Sequence, residues 1–287
     1  MKNKGVLYLF AAAMLWGSAF IAQRQGMDHI GPYTYVFFRY VLSVVSSAVM
    51  VVTSIRKYGF HSHRFFRSAR IGIITGLPLA IGMILQQVGL VNTPASKAGF
   101  LTAMYILIVP FLGLLRGKKI ENNIWIALVI AVAGFYFLCV SESFTIQASD
   151  LIILLGALGF SLQIDLIDRY GKEADSFVLT CFSQLTVLAV ALVLMVKTET
   201  VVMGNVMKAW IPIVYCGIFS GSVAEILQVM GQKTTRPAVA SLVLSLESVF
   251  SAIFGVLLLS ERLSSRELIG CILVFASVLI SQREKKD

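Results

Sequence analysis

Polar residues in this chain are gathered into short turns, and ten apolar blocks run between them. The blocks cover about 5–24, 33–54, 71–91, 95–115, 122–140, 150–168, 176–196, 210–230, 238–259 and 266–282. Crossing the hydrocarbon core of a bilayer takes about 20 mostly apolar residues. Inside lipid every backbone N–H and C=O must be satisfied within the protein, so continuous blocks of this length are helices. The pattern predicts an all-α integral membrane protein with ten transmembrane helices. The longest interval, about 55–70, leaves no room for a soluble catalytic domain. The opening, Lys2 and Lys4 followed by an apolar run to Ala22, resembles a secretory leader. It reads instead as a first span, because it has a partner in the second half.

Two stretches of the chain match each other. Leu85-Gln86-x-x-Gly89-x-x-x-Thr93-Pro94-Ala95 returns as Leu227-Gln228-x-x-Gly231-x-x-x-Thr235-Arg236-Pro237-Ala238, with Arg236 inserted. The register continues through Leu101 with Leu244, Phe111 with Phe254, Ile126 with Ile269 and Ala133 with Ala276. Ala13 with Ala157 and Trp16 with Phe160 extend it more faintly to the first helices. Such self-similarity marks a duplicated unit. It divides the chain into repeats 1–141 and 142–287 of five helices each. Five is odd, so the repeats must face opposite ways, a 5+5 inverted repeat around a central cavity. Gly72-x-x-x-Gly76 and Gly217-x-x-x-Gly221 have the spacing of close helix contacts. Pro78 and Pro110, inside spans, are expected to kink them. Trp125, Trp210, Tyr33 and Tyr35 stand where an interfacial aromatic belt belongs.

Composition agrees with a membrane chain. Hydrophobic residues make up 57% and charged residues 14%, against about 25% charged in soluble domains. The net charge of +9 suggests nucleic acid, but its distribution follows topology instead. With the N-terminus inside, the Lys and Arg residues divide seventeen inside to six outside, and Arg39 lies within a span. That supports two cytoplasmic termini and an even number of spans. Cys139, Cys181, Cys216 and Cys271 all fall within spans and read as small packing residues.

An ionisable side chain in hydrocarbon costs about 2.5–3.5 kcal/mol on insertion scales, so each requires a reason. Glu247 lies about nine residues into its block, near the midplane at 1.5 Å per residue. Ser241, Ser245, Ser248 and Ser251 accompany it at helical spacing. Such a carboxyl can carry a proton, meet a cationic substrate group, or serve as a protonated interhelical hydrogen-bond donor. Glu225 shares a helix face with Gln228, and its counterpart in the first half is Met83. Gln86 and Gln228 are repeat mates suited to neutral polar groups or to helix–helix bonds. Trp16, Tyr105 and Gln163 lie at mid-span, where they can meet substrate or simply pack. Lys97 can snorkel to the surface or attract an anionic substrate group. Arg39 reads as a structural anchor. Asp165, Asp168 and Arg169 read as an exposed ion cluster or a gate.

The chain resembles the drug/metabolite transporter superfamily in its ten-helix EamA-type branch. The resemblance rests on Leu15-Trp16-Gly17-Ser18-Ala19-Phe20, Phe38-Arg39-Tyr40, Lys97-Ala98-Gly99-Phe100-Leu101-Thr102, and Ser245-Leu246-Glu247-Ser248-Val249-Phe250. Ser248 stands where that family commonly has proline. The resemblance implies a cavity lined by helices 1, 3, 4, 6, 8 and 9, with 5 and 10 at the periphery. It also implies transport of small metabolites, with no cofactor.

The expected activity is therefore secondary transport of small metabolites, amino acids or similar, across a bacterial-type cytoplasmic membrane, in the export direction. Coupling runs through a proton at Glu247 or through the substrate gradient alone. The rivals are a multidrug exporter for cationic amphiphiles, a membrane-embedded enzyme of lipid-linked intermediates, and a sensor or channel. The sequence contains no Gly-x-x-x-x-Gly-Lys-Ser/Thr loop, so it is not itself an ATP-driven pump. His61-x-His63 in a basic loop makes a poor metal site. Monomer and homodimer both fit a chain that already holds two repeats.

Overall fold

The computed structural model describes residues 2–139, 146–259 and 263–282, and their regular structure is entirely helical. The expected repeat boundary near 141 lies outside these residues. So do Ser260, Glu261, Arg262, Arg283, Lys285 and Lys286, and the side chain of Cys139. The main helices are α1 (Lys2–Gly26), α2 (Pro32–Tyr58), α3 (Ser62–Leu90), α4 (Ala95–Leu114) and α5 (Asn122–Cys139). They continue as α6 (Ala148–Tyr170), α7 (Ser176–Thr198), α8 (Trp210–Gln232), α9 (Pro237–Leu258) and α10 (Ser265–Ser281). A short helix, Met203–Lys208, precedes α8. Among the described residues eight helices are long and apolar enough to cross a membrane; α5 and α10 are shorter.

Local chemistry fixes several helix starts. Asp175 accepts from the Phe177 and Val178 amides and opens α7. Ser264 and Glu267 form a capping box at α10. At α2, Pro32 occupies the first turn, and Glu199 from the end of α7 accepts from the Tyr33 and Thr34 amides. Helix α3 begins nine residues before its apolar block, at Ser62. Its polar first turns are held on the bundle surface: Arg67 pairs with Glu173, and the Asp175 amide donates to Ser68.

The spans are less continuous than their apolar pattern. Helix α3 runs unbroken through Pro78, but α4 divides at Met104 into Ala95–Ala103 and Tyr105–Leu114. Helix α9 divides at Ser245 into Pro237–Leu244 and Leu246–Leu259. The two break residues have nearly the same backbone, φ −61, ψ −11 and φ −64, ψ −11. Proline does not make the second break. Ser241, Ser245 and Ser248 instead turn their hydroxyls back onto the carbonyls of Ala238, Leu242 and Ser245. Such back-bonding competes with the helical ladder and bends it. Helix α8 widens into a π-helix over Cys216–Val223. Its loosened carbonyls take side-chain donors: Ser43 to Gly217, Trp16 to Ser220 and Gln184 to Gly221.

Glycines set the close contacts. A Cβ on Gly72 would meet the Leu179 carbonyl at 2.4 Å, and one on Gly217 the Arg39 carbonyl at 2.8 Å. Both small-residue pairs thus let backbones touch, α3 on α7 and α8 on α2. Gly89 on α3 faces Ile153 and the Ser149 carbonyl of α6, while Gly231 on α8 faces Leu9 and the Gly5 carbonyl of α1. The helix pairs correspond in the same way: α3 packs on α6 and α7, and α8 packs on α1 and α2. Helices α5 and α10 pack on each other through Gly134 and Gly270. Trp125 and Trp210 are exposed at helix starts, as a belt requires. Tyr35 is not in the belt: it is fully buried, packs on Gly26 and donates to the Pro212 carbonyl.

Candidate functional site

Midway along the bundle, α1, α2, α3, α4, α6, α8 and α9 enclose a cavity of about 50 Å³. That is room for a few water molecules. Its wall contains Trp16, Gln86, Tyr105, Gln163, Glu225, Gln228 and Glu247, and also Phe20, Gln23, Arg39, Thr102, Phe160 and Ser220. Seven of the eight residues singled out from the sequence therefore meet in one place. Lys97 is the exception. It lies outside this wall, at the start of α4, with its ammonium 2.6 Å from the buried Asp150 carboxylate on α6. Thr93 also donates to Asp150.

The two carboxyls stand apart and in different company. Glu247 occupies the first turn of the second half of α9, directly after the break at Ser245. Its carboxyl faces the Tyr105 hydroxyl, and both residues are buried. Glu225 occupies the first turn after the π segment of α8, where its Oε2 accepts from Gln184 at 3.2 Å. Gln86 donates to Thr102 at 3.0 Å, and Gln228 reaches Gln163 at 3.5 Å. Trp16 donates from its indole to the Ser220 carbonyl at 3.0 Å.

Arg39 is the cationic member of the wall. It is 3% exposed, and it donates to Gln23 Oε1 and Ser220 Oγ, both at 3.0 Å. Its Nε has no partner. The position is that of an anchor that also borders the cavity. Sequence reasoning placed its depth but not its direction. Gln184 was missed altogether, although Thr180, Ser183 and Gln184 repeat at helical spacing on an otherwise apolar helix. The same signal drew attention to the serines around Glu247.

Charged side chains cross-link the helices toward both ends of the bundle. Call the end where α1 begins the near end. There Asp165 pairs with Arg116 and Arg169, and Asp168 with Lys118. The acids are 3% and 6% exposed, so of the two expectations, an exposed cluster or a gate, the acids do not fit the first, although Lys118 and Arg169 remain partly exposed. Arg236 pairs with Glu121 beside it. Beyond these pairs a basic vestibule of about 330 Å³ opens between the α4–α5 and α8–α9 turns, lined by Lys118, Lys119, Lys172, Lys233 and Arg236. At the far end Lys97 holds Asp150, and Arg24 of α1 donates to the Leu90 and Val91 carbonyls at the end of α3.

Asp165→Asn should loosen the near-end ion pairs. Breaking a buried ion pair costs about 3–5 kcal/mol. The effect here should fall at or below the lower end, because Arg169 is 39% exposed and screened. Thermal melting of the purified protein in detergent should fall by several degrees. An unchanged midpoint would mean that these pairs contribute nothing.

Among the described residues no three or more His, Cys, Asp or Glu side chains are grouped to hold a metal ion. Cys181, Cys216 and Cys271 are buried free thiols. In comparison with known proteins, the chain is 26% identical over 275 residues to an uncharacterized transporter of Archaeoglobus fulgidus, covering 96% of this chain and 84% of that one. A protein of known crystal structure shares the fold, with a TM-score of 0.77 at 16% identity over 98% of this chain and 96% of its own. The model of the EamA-like transporter family matches residues 3–140 and again residues 147–282. Matched across nearly all of its length, the chain belongs to the EamA-like transporter family.

Proposed function

We propose that this protein is a secondary transporter that exports small zwitterionic metabolites, amino acids or similar, by alternating access. One observation carries the reading. The mid-bundle cavity holds Arg39 together with Glu225 and Glu247, and Trp16, Phe20, Tyr105 and Phe160 line the same wall. A guanidinium suits a carboxylate and a carboxylate suits an ammonium, while the aromatic faces take an apolar side chain. Arg39 counts against the rival substrate class, cationic amphiphiles, because a buried cation repels them.

In this reading residues 1–141 and 142–287 are inverted repeats that rock about the cavity. The corresponding contacts of Gly89 and Gly231 support that division. The near end, with its basic vestibule, faces the cytoplasm, where positive residues concentrate. Both termini are then cytoplasmic and the protein lies in the cytoplasmic membrane. Export is the direction implied by analogy with the family. A monomer suffices, since one chain supplies both halves of the cavity. The acids clustered at the near end, Asp165 and Asp168, are each held by cations, which counts against the lipid-linked enzyme.

The test is mass spectrometry of culture medium from cells that overproduce the protein, against an empty-vector strain. A small set of amine-bearing carboxylic acids should accumulate outside the overproducing cells alone. Unchanged medium at verified membrane expression would remove export. Enrichment of lipophilic cations alone would replace the substrate class.

A further inference from the structure

Where α7 meets α8 at Glu225, a set of buried oxygen atoms is left unused by the transport reading. Thr180 Oγ1 and Gln184 Oε1 on α7 and Ser222 Oγ on α8 are buried and have no hydrogen-bond partner, and the Glu225 carboxyl meets the Ser183 hydroxyl and the Gln184 amide. The four neutral residues are completely inaccessible and Glu225 is 4% exposed. The Gln184 amide ties the cluster together, donating at once to Glu225 Oε2 at 3.2 Å and to the Gly221 carbonyl at 3.0 Å. Ser183 faces the same carboxyl. Thr180 is one turn before Gln184 on α7, and Ser222 one turn before Glu225 on α8. None of Thr180, Ser183, Gln184 or Ser222 lines the substrate cavity, whereas Glu225 does.

Buried polar atoms are nearly always paired, so several unpaired oxygens on the two helices that meet at one carboxyl point to an occupant. A proton on Glu225 would answer one of them and leave the rest unsatisfied. A hard cation answers them together, because such ions take carboxylate, hydroxyl and amide oxygens. The single carboxylate, with the Arg39 guanidinium nearby on the cavity side, neutralises one positive charge and not two. Imidazole is lacking, and the one nearby thiol, Cys181, gives no soft ligand set. Glu225 borders the cavity, so the ion has a route in from it.

We propose that Glu225, Ser183 and Gln184, with Ser222 and Thr180, form a sodium site between α7 and α8. The π segment of α8 ends at this carboxyl, so sodium bound there fixes the register of α8 against α7. The site's role as a coupling ion rests on the transporter reading; its existence does not.

The test is thermal melting of the purified full-length protein without substrate, titrated with NaCl, KCl or choline chloride at constant ionic strength. Radioactive sodium binding is measured alongside. Sodium alone should raise the midpoint saturably, with about one ion bound per chain. Glu225→Gln should abolish both signals. Ser183→Ala and Ser222→Ala, milder changes chosen to preserve folding, should each weaken the apparent affinity by roughly tenfold or more. Equal midpoints in the three salts with no bound radioactivity would overturn the site, as would sodium binding that Glu225→Gln, Ser183→Ala and Ser222→Ala all leave unchanged. A sodium response in a protein that exports nothing would keep the site and remove the transporter reading. Export without any sodium response would do the reverse.

Discussion

Glu247→Gln should reduce export by roughly ten- to a hundred-fold while leaving the protein folded. A hydrogen bond to a charged group is worth about 1.5–3 kcal/mol, and that is the interaction lost when glutamine replaces the carboxylate opposite a substrate ammonium. The amide fills the same volume and can still meet the Tyr105 hydroxyl. Glu247 has no ion-pair partner among the described residues, so no buried charge is orphaned by the change. Export rate is read from the medium, and folding from gel filtration and thermal melting. Full activity in Glu247→Gln would move recognition to Glu225 and Arg39. Loss of activity with loss of folding would make Glu247 structural.

Gly17→Leu should separate α1 from α9 and remove both folding and transport. A Cβ at Gly17 would lie 2.4 Å from the Phe250 Cβ, 2.6 Å from the Glu247 carbonyl and 2.8 Å from the Ser251 amide nitrogen. Two of these three atoms are backbone, so no rotamer change relieves the clash. Overpacking typically costs about 1–3 kcal/mol, occasionally more. Here it also moves Trp16 and Glu247, which this contact holds on one cavity wall. Gly113→Ala is the contrast. Nothing lies within 4 Å of a Cβ there, and in the last turn of α4 alanine gains at most about 1 kcal/mol over glycine. Melting midpoints should fall for Gly17→Leu and hold or rise for Gly113→Ala. A stable, active Gly17→Leu would mean that α1 and α9 are not in contact in the working protein.

Much of the helix layout was legible because hydrocarbon imposes one rule over a long window. The block at 176–196 became Ser176–Thr198 and the block at 210–230 became Trp210–Gln232. The start of α3 was not legible, because hydropathy registers only the part of a helix that lies in lipid. The break at Ser245 was hidden for a different reason. It arises from serine hydroxyls bonding backward, which apolar periodicity does not record. The cavity residues stood out individually, since a carboxyl or amide in an apolar run is conspicuous. Partnerships were another matter. Lys97 meets Asp150, and Arg116 meets Asp165, only through packing of α4 on α6. Gln184 escaped notice because an uncharged amide in a helix with no acid nearby in sequence looks like ordinary packing.

The twin breaks at Met104 and Ser245 have a mechanical consequence. At each, ψ differs from the regular α value near −42° by only about 30°. Restoring that angle at a single residue would straighten the helix. The half-helix Tyr105–Leu114 has 10 residues, so it is a lever about 15 Å long. Swung through about 30°, its tip travels roughly 8 Å, a width sufficient for an amino-acid-sized solute. Tyr105, at the fulcrum, would scarcely move. A mouth can therefore open at one end of such a bundle while the groups that hold the cargo keep their places.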